Sequence, residues 1–224
     1  MDSYCNYMLL AENYMNKKEY LIALNLFEKS TKFKRTKLDA EINIGICYFF
    51  LKDYVKASAT FSNILETYPD NTIAYINKGN TLKKLKKYEE ALIHYDKAIE
   101  LEPFSNNASD AYNNKGIIYH ELNNCEKSIF SYKKALEINN KNHNAHNNLG
   151  NIYMDNGKYY DAYICYNKSL EIMPNDLLVI RNKAIMLFKC QKYKDAEYYF
   201  QKILLVNKND TKSLDYLNKI KCVN

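Results

Sequence analysis

Glycine and proline are scarce in this chain, with five glycines and three prolines among 224 residues. Both residues mark turns, so a fold built from many short strands and turns would need more of them. Stretches that alternate apolar and polar residues at every second position, the pattern of a half-buried strand, are also hard to find. These shortages predict an all-α protein whose helices are joined by short connections.

Long apolar runs are absent as well. The longest covers residues 44–51, whereas a helix that spans a bilayer needs about 20 apolar residues. The N-terminal stretch MDSYCNYMLLAENY lacks the basic-then-apolar pattern of a secretory signal. We therefore expect an intracellular, cytoplasmic protein with no membrane partner.

The six cysteines form no CxxC pair and show no recurring spacing. In an intracellular chain they are expected to be free, mostly packed thiols rather than a disulfide framework. They are Cys5, Cys47, Cys125, Cys165, Cys190 and Cys222.

Apolar residues make up 47% of the chain, enough for a core, and the formal net charge is +6. This composition excludes wholesale disorder. Basic clusters occur at residues 32–37 and 83–87. Both fall at predicted helix ends, acidic residues are interleaved, and no aromatic-basic stacking surface accompanies them, so we expect solvated turns and no nucleic acid partner.

A repeat with a period of 34 residues runs through the chain, with one insertion at residues 106–108. Such a period is the signature of a solenoid. The eighth and twentieth positions are small in every copy, the twenty-fourth is aromatic, and all three prolines fall on the thirty-second. The copies begin at Tyr4, Leu38, Thr72, Ser109, His143 and Leu177. The aromatic residues are Phe27, Phe61, Tyr95, Tyr132, Tyr166 and Phe200.

Each copy is predicted to form two helices, at about positions 1–14 and 18–31, because apolar residues recur at three and four within each half. The small residues would form a hole that receives the aromatic ring as a knob. Gly79 at an eighth position weakens its helix by about 1 kcal/mol. Close packing of a large ring can offset that loss.

The pattern closely resembles the tetratricopeptide repeat over residues 4–210. This resemblance implies an α-α superhelix, or solenoid, of six helix-turn-helix units in one array, with repeats at 4–37, 38–71, 72–105, 109–142, 143–176 and 177–210. Departures are mild: the fourth position has no tryptophan, Cys125 replaces the usual tyrosine at position 17, and repeats 1, 4 and 6 lack the terminal proline. We expect loosened or re-angled joints after those three repeats.

Residues 211–224 are predicted to form a capping helix, since Leu214, Leu217 and Ile220 share one face and a stacked array exposes an apolar end unless something covers it. The N-terminus shows no comparable cap. A chain that begins with Met1 and closes with a cap is expected to be complete.

The resemblance further implies that the first helices line a concave groove through positions 2, 5, 6, 9, 12 and 13. Position six holds Leu9 and then five asparagines. A carboxamide both donates and accepts, so it can pair with the backbone of an extended peptide. The alternative, that these amides only bond to neighbouring helices, stays open. The candidate peptide-binding residues are Asn43, Asn77, Asn80, Asn113, Asn114, Asn147, Asn148, Asn151, Arg181 and Asn182.

Catalysis finds little support in the sequence. No glycine loop that could cradle a phosphate is present, and His143 and His146 have no convincing third ligand beside them. We therefore expect no catalytic residue, no cofactor and no metal. The tetratricopeptide mode that grips the C-terminal carboxylate of Hsp70 or Hsp90 is not expected either. Its lysine and arginine positions hold Ile76, Asn144 and Asn148 here.

The predicted function is that of a non-enzymatic scaffold or adaptor, which binds an extended or helical segment of another protein in its groove. The alternative is a structural subunit of a homo-oligomer or larger assembly that uses the N-terminal repeat or the outer faces.

Overall fold

The computed structural model describes the backbone of residues 3–222 and the side chains of residues 6–222. Within that range it contains thirteen helices and no strand, which confirms the all-α prediction. The helices are α1 (Ser3–Asn16), α2 (Tyr20–Ser30), α3 (Lys37–Phe50), α4 (Tyr54–Thr67), α5 (Thr72–Lys84), α6 (Tyr88–Leu101), α7 (Asn106–Glu121), α8 (Cys125–Ile138), α9 (His143–Asp155), α10 (Tyr159–Ile172), α11 (Leu177–Lys189), α12 (Tyr193–Val206) and α13 (Thr211–Lys221).

The chain divides into two compact units, the first ending at Ile118 and the second beginning at Tyr119. In unit 1, α1 packs on α2, α3 on α4 and α5 on α6. In unit 2, α8 packs on α9, α9 on α10, α10 on α11 and α11 on α12. The repeat boundaries and the single array over residues 4–210 stay predictions.

The predicted knob-in-hole packing is confirmed in three repeats. A Cβ added to Gly79 would lie 2.7 Å from Cε1 of Tyr95. The corresponding distances are 2.6 Å from Gly45 to Phe61 Cζ and 2.8 Å from Gly150 to Tyr166 Cε1. Side-chain carbons do not approach this closely, so the glycines are required by the rings beside them. The six aromatic residues at position 24 are all buried.

Helices α4, α6, α8, α10 and α12 all end at the thirtieth repeat position, whether or not a proline follows. The helices that follow α4 and α8 are started by asparagine side chains, because Oδ1 of Asn71 accepts from the backbone N–H of Ala74 (2.8 Å) and Oδ1 of Asn142 from that of Ala145 (3.0 Å). The helix ends after repeats 4 and 6 are therefore regular. The joint after repeat 1 differs, since α2 already ends at Ser30 and residues 31–36 form turns.

The three-residue insertion does not form a loop. Helix α7 begins at Asn106, so residues 106–108 add nearly a turn to its start. Oγ of Ser105 accepts from the backbone N–H of Ala108 (3.1 Å), and Ala108 is fully buried. The insertion thus lengthens the first helix of its repeat.

Every repeat has a residue in the left-handed region at position 15, in the turn between its two helices. They are Lys18, Lys52, Lys86, Asn123, Gly157 and Gln191, with φ between 57° and 72°. Only one of the six is glycine, so five side chains accept a conformation that L-residues adopt at a cost.

The predicted capping helix forms as α13, which packs on α12. Ile220 is buried, and the ring of Tyr216 stacks on that of Phe200 at 5.0 Å. Residues 223 and 224 of the predicted cap, and Met1 at the other end, lie outside the described residues.

Candidate peptide-binding surface

The first two asparagines of the position-six series are anchored on their own helices. Nδ2 of Asn43 donates to the backbone carbonyl of Asp39 (2.9 Å), and Nδ2 of Asn77 donates to that of Ile73 (3.0 Å). Both side chains are half-buried. A carboxamide has two N–H donors and one carbonyl oxygen, so each retains a donor and an acceptor for a ligand.

A lysine that was not among the predicted binding residues bonds to one of the position-six asparagines of unit 1. Lys83, at groove position 12, donates from Nζ to Oδ1 of Asn114 (2.6 Å) and so joins α5 to α7. Asn80 has a different role, because its Oδ1 accepts from the hydroxyl of buried Tyr95 (2.7 Å). Asn113 is only 7% exposed. We call Asn43, Asn77 and Asn114 the unit 1 amide set.

In unit 2 the amides bond to one another. Nδ2 of Asn182 lies 3.0 Å from Oδ1 of Asn147 and 3.0 Å from Oδ1 of Asn151, which connects α11 to α9. The hydroxyl of Tyr166 also donates to Asn151 (2.8 Å). Since Asn182 uses both amide protons in this way, its carbonyl oxygen is what it can offer a ligand. Asn147 is 5% exposed, whereas Asn148 is half-buried.

Arg181 joins α11 to the start of α13. Its Nη2 lies 2.5 Å from Oδ2 of Asp210, and its Nε is buried with no partner within residues 6–222. Burial by itself would raise the pKa of Asp210, but hydrogen bonds from Ser213 and the charge of Arg181 outweigh it and lower that pKa. Arg181 thus stabilises the capping helix.

A second polar set links three of the repeats to the preceding repeat. The seventh position is lysine in three repeats, and each of these lysines contacts the twenty-fifth position of the preceding repeat. The pairs are Lys78 with Ser62 (2.7 Å), Lys115 with Asp96, and Lys183 with Asn167 (2.6 Å). The signal was available in the sequence, since the 34-residue register places these residues at fixed positions.

Two phenylalanines at groove positions 12 and 13 are only partly accessible. Phe50 is 49% exposed and stacks on Tyr20 at a centroid distance of 4.9 Å. Phe188 instead packs edge-on against Tyr193 and Tyr216. Accessible apolar surface therefore remains on α1 and α3, while Phe188 contributes to the packing of α13.

The two histidines considered as metal ligands have other partners. Nε2 of His146 lies 3.0 Å from the carbonyl of Asn140, and burial lowers the pKa of this histidine. His143 is partly buried, with Nδ1 3.8 Å from Asp176. Among the described residues no three His, Cys, Asp or Glu side chains cluster as metal ligands would. No helix in that part of the chain is long and apolar enough to cross a membrane.

Family models and a curated relative match parts of this chain. Tetratricopeptide repeat family models match residues 39–71, 70–141 and 143–176. A protein described as "Protein STIP1 homolog" from Dictyostelium discoideum is 40% identical over 76 residues, which are 34% of this chain and 12% of that protein. The chain thus spans about an eighth of that relative's length.

Solved structures share the fold at low sequence identity. A chain of the "APC/C hetero-tetramer Cut9-Hcn1" superposes with a TM-score of 0.81 at 16% identity, over 97% of this chain and 42% of that one. PilF of Pseudomonas aeruginosa superposes with a TM-score of 0.77 at 14% identity, over 96% and 97%. Together the three family matches cover more than half of the chain, which therefore belongs to the tetratricopeptide repeat family, with the all-α solenoid fold of that family.

Proposed function

We propose that this protein is a non-enzymatic, cytoplasmic adaptor that binds an extended segment of a partner protein along its first helices. The observation that carries the proposal is the anchoring of Asn43 and Asn77 on their own helices, with a donor and an acceptor left for a ligand. An extended peptide offers one N–H and one C=O per residue, which is what a carboxamide can pair with.

In this proposal the unit 1 amide set forms the main peptide-binding surface. In unit 2, Asn182 already donates to Asn147 and Asn151, so that network holds α9 and α11 together and offers mainly an acceptor. Lys83 adds a positive charge beside Asn114. This charge favours a partner segment that carries an acidic side chain or exposes its carbonyl oxygens.

The residues of this chain do not favour recognition of a chaperone's C-terminal carboxylate. The family's carboxylate grip requires lysine and arginine at positions that hold Ile76, Asn144 and Asn148 here. Lys83 supplies a cation from another position, beside Asn114. We therefore infer that the protein recognises the backbone of a peptide segment rather than a C-terminal carboxylate.

The test is capture of partners from native lysate by the wild type and by the double variant Asn43→Ala/Asn77→Ala. Asn63→Ala is the matched control, because Asn63 is an exposed asparagine on α4, the second helix of the repeat that contains Asn43. We expect a partner that the wild type and the control retain and the double variant loses, at equal helicity by circular dichroism. A partner retained equally by all three proteins would contradict binding through these amides.

A second candidate, a structural subunit, is favoured by the apolar surface of α1 and α2. Leu9 and Leu21 are 70% and 69% exposed, and Leu10 is 41% exposed at the seventh position, which other repeats use to contact the preceding repeat. Burial of such a surface by self-association would yield a dimer that persists on dilution. Sedimentation across a hundredfold dilution separates the two candidates, since the adaptor is expected to stay monomeric.

A further inference from the structure

A cleft in unit 2 is bordered by a buried lysine, Lys183, that forms no ion pair with a carboxylate of the described residues. The cleft, of about 310 Å³, is bordered by Asn167 and Glu171 of α10, Lys183 of α11, and Tyr199 and Lys202 of α12. Lys183 is only 6% exposed. The cleft is distinct from the first-helix amides, because two of the three helices that border it, α10 and α12, are second helices of their repeats.

The ammonium group of Lys183 is held by neutral groups. Nζ donates to Oδ1 of Asn167 (2.6 Å) and to the hydroxyl of Tyr199 (2.8 Å). It also lies 5.0 Å and 4.5 Å from the ring centroids of Tyr163 and Tyr199. An ammonium has three N–H donors, so after these two bonds one donor remains for a group in the cleft.

One of the two equivalent lysines of unit 1 shows a different arrangement. Lys115 occupies the same repeat position and forms an ion pair with Asp96. At the position equivalent to Asp96, unit 2 has Asn167, which offers Lys183 an oxygen but no charge. A buried cation is normally paired with an anion. The hydrogen bonds of Lys183 therefore orient the cation without giving it an ion pair.

The charges at the cleft favour one kind of anion. Lys183 and Lys202 contribute two positive charges and Glu171 one negative charge, so a singly charged ligand neutralises the site, while a doubly charged phosphate would meet repulsion from Glu171. We propose that the cleft binds an Asp or Glu carboxylate of a partner polypeptide. Lys183 donates the third N–H to it, and Lys202 attracts it from the rim.

The experiment uses the blocked tripeptide acetyl-Ala-Glu-Ala-amide, its glutamine counterpart and inorganic phosphate, titrated at constant ionic strength. NMR signals of the Lys183 ε-methylene and the Tyr199 ring report binding. We expect saturable shifts with the glutamate peptide and at least tenfold weaker binding of the glutamine peptide. Lys202→Gln should weaken the glutamate peptide about two- to fivefold, as for a solvent-exposed ion pair.

Lys183→Met keeps most of the side-chain volume and removes the charge, and it should abolish the Tyr199 response. Lys78→Met is the matched control, since Lys78 is the other seventh-position lysine of unit 1, bonded to Ser62, and should leave the response unchanged. Equal responses to the glutamate and glutamine peptides in the wild type would overturn the site, even if Lys183→Met failed to fold. Phosphate binding as tight as the glutamate peptide would overturn the choice of a carboxylate.

Discussion

Replacement of Gly79 by alanine tests the packing that defines the repeat. The added Cβ would lie 2.7 Å from Cε1 and 3.0 Å from Cδ1 and Cζ of Tyr95. That ring is fully buried and its hydroxyl is fixed by Asn80 at 2.7 Å, so it cannot move aside without loss of a hydrogen bond. The methyl group therefore meets a neighbour that is held in place.

Three contributions of known size decide the sign of the effect. Alanine gains about 1 kcal/mol over glycine in a helix interior. Overpacking of a filled core costs about 1–3 kcal/mol, and displacement of the Tyr95 hydroxyl costs about 1 kcal/mol more. We expect Gly79→Ala to lower the free energy of unfolding by about 2 kcal/mol, measured as a shift of the urea midpoint at unchanged slope.

The same substitution in the Tyr95→Leu variant tests whether the ring is the cause. Tyr95→Leu removes the closest ring atom, Cε1, and one of the two atoms at 3.0 Å, Cζ, and with them most of the reason for the glycine. In that background Gly79→Ala should stabilise the protein by about 0.5–1 kcal/mol, because only the helix propensity remains. The coupling energy of the cycle is then about 2–3 kcal/mol. If Gly79→Ala has the same sign and size in both backgrounds, the ring is not what requires glycine at this position.

Two further predictions concern backbone conformation and pH. Gly157→Ala should destabilise the protein by about 1–2 kcal/mol because φ is +72°, although no atom lies within 4 Å of the added Cβ. Lys86→Gly, at φ 60°, should instead stabilise it by about 0.5–1 kcal/mol. If the urea midpoint shifts in the same direction for both variants, this reasoning is refuted. Burial, reinforced by the charge of Lys78 and opposed by Glu90, lowers the pKa of His94 to about 4. Between pH 6.5 and 4 the unfolded chain binds a proton that the native state does not, so stability falls on acidification by about 1–2 kcal/mol after allowance for partial exposure. Thermal melts of His94→Gln should show a correspondingly smaller loss over that window, and an identical loss would contradict the shift.

Features that recur in every repeat were predictable from the sequence. Gly45, Gly79 and Gly150 and the rings beside them follow from a register supported by six copies, and the structure confirms the contacts. Features that occur once were not predictable to the residue. The end of α2 at Ser30 and the start of α7 at Asn106 depend on local capping, such as that by Ser105, which the repeat register does not constrain.

The roles of the asparagines could be predicted only in part. Whether a carboxamide bonds to its own helix, as Asn77 does, or to a neighbouring helix, as Asn182 does, depends on distances that the residue type does not fix. Both types are polar, half-buried and on the same face of a first helix. Sequence periodicity therefore placed each of these residues on the same face of its own helix but could not divide them between ligand binding and helix packing.

The ninth position shows that a finer rule was nevertheless present in the sequence. Asparagine stands there in two repeats, at Asn80 and Asn151, and in both the position-24 ring carries a hydroxyl that donates to it. The three repeats with phenylalanine at position 24 have Glu12, Ile46 and Ile185 at the ninth position instead.

A buried hydroxyl without an acceptor costs about 1–3 kcal/mol, so Tyr95 and Tyr166 account for their asparagines without any ligand. Tyr132 has Ile117 at the corresponding ninth position and hydrogen-bonds Ser128 on its own helix. Position nine is thus explained by the core, and this shifts the case for peptide recognition onto position six, where Asn43 and Asn77 have no buried hydroxyl to satisfy.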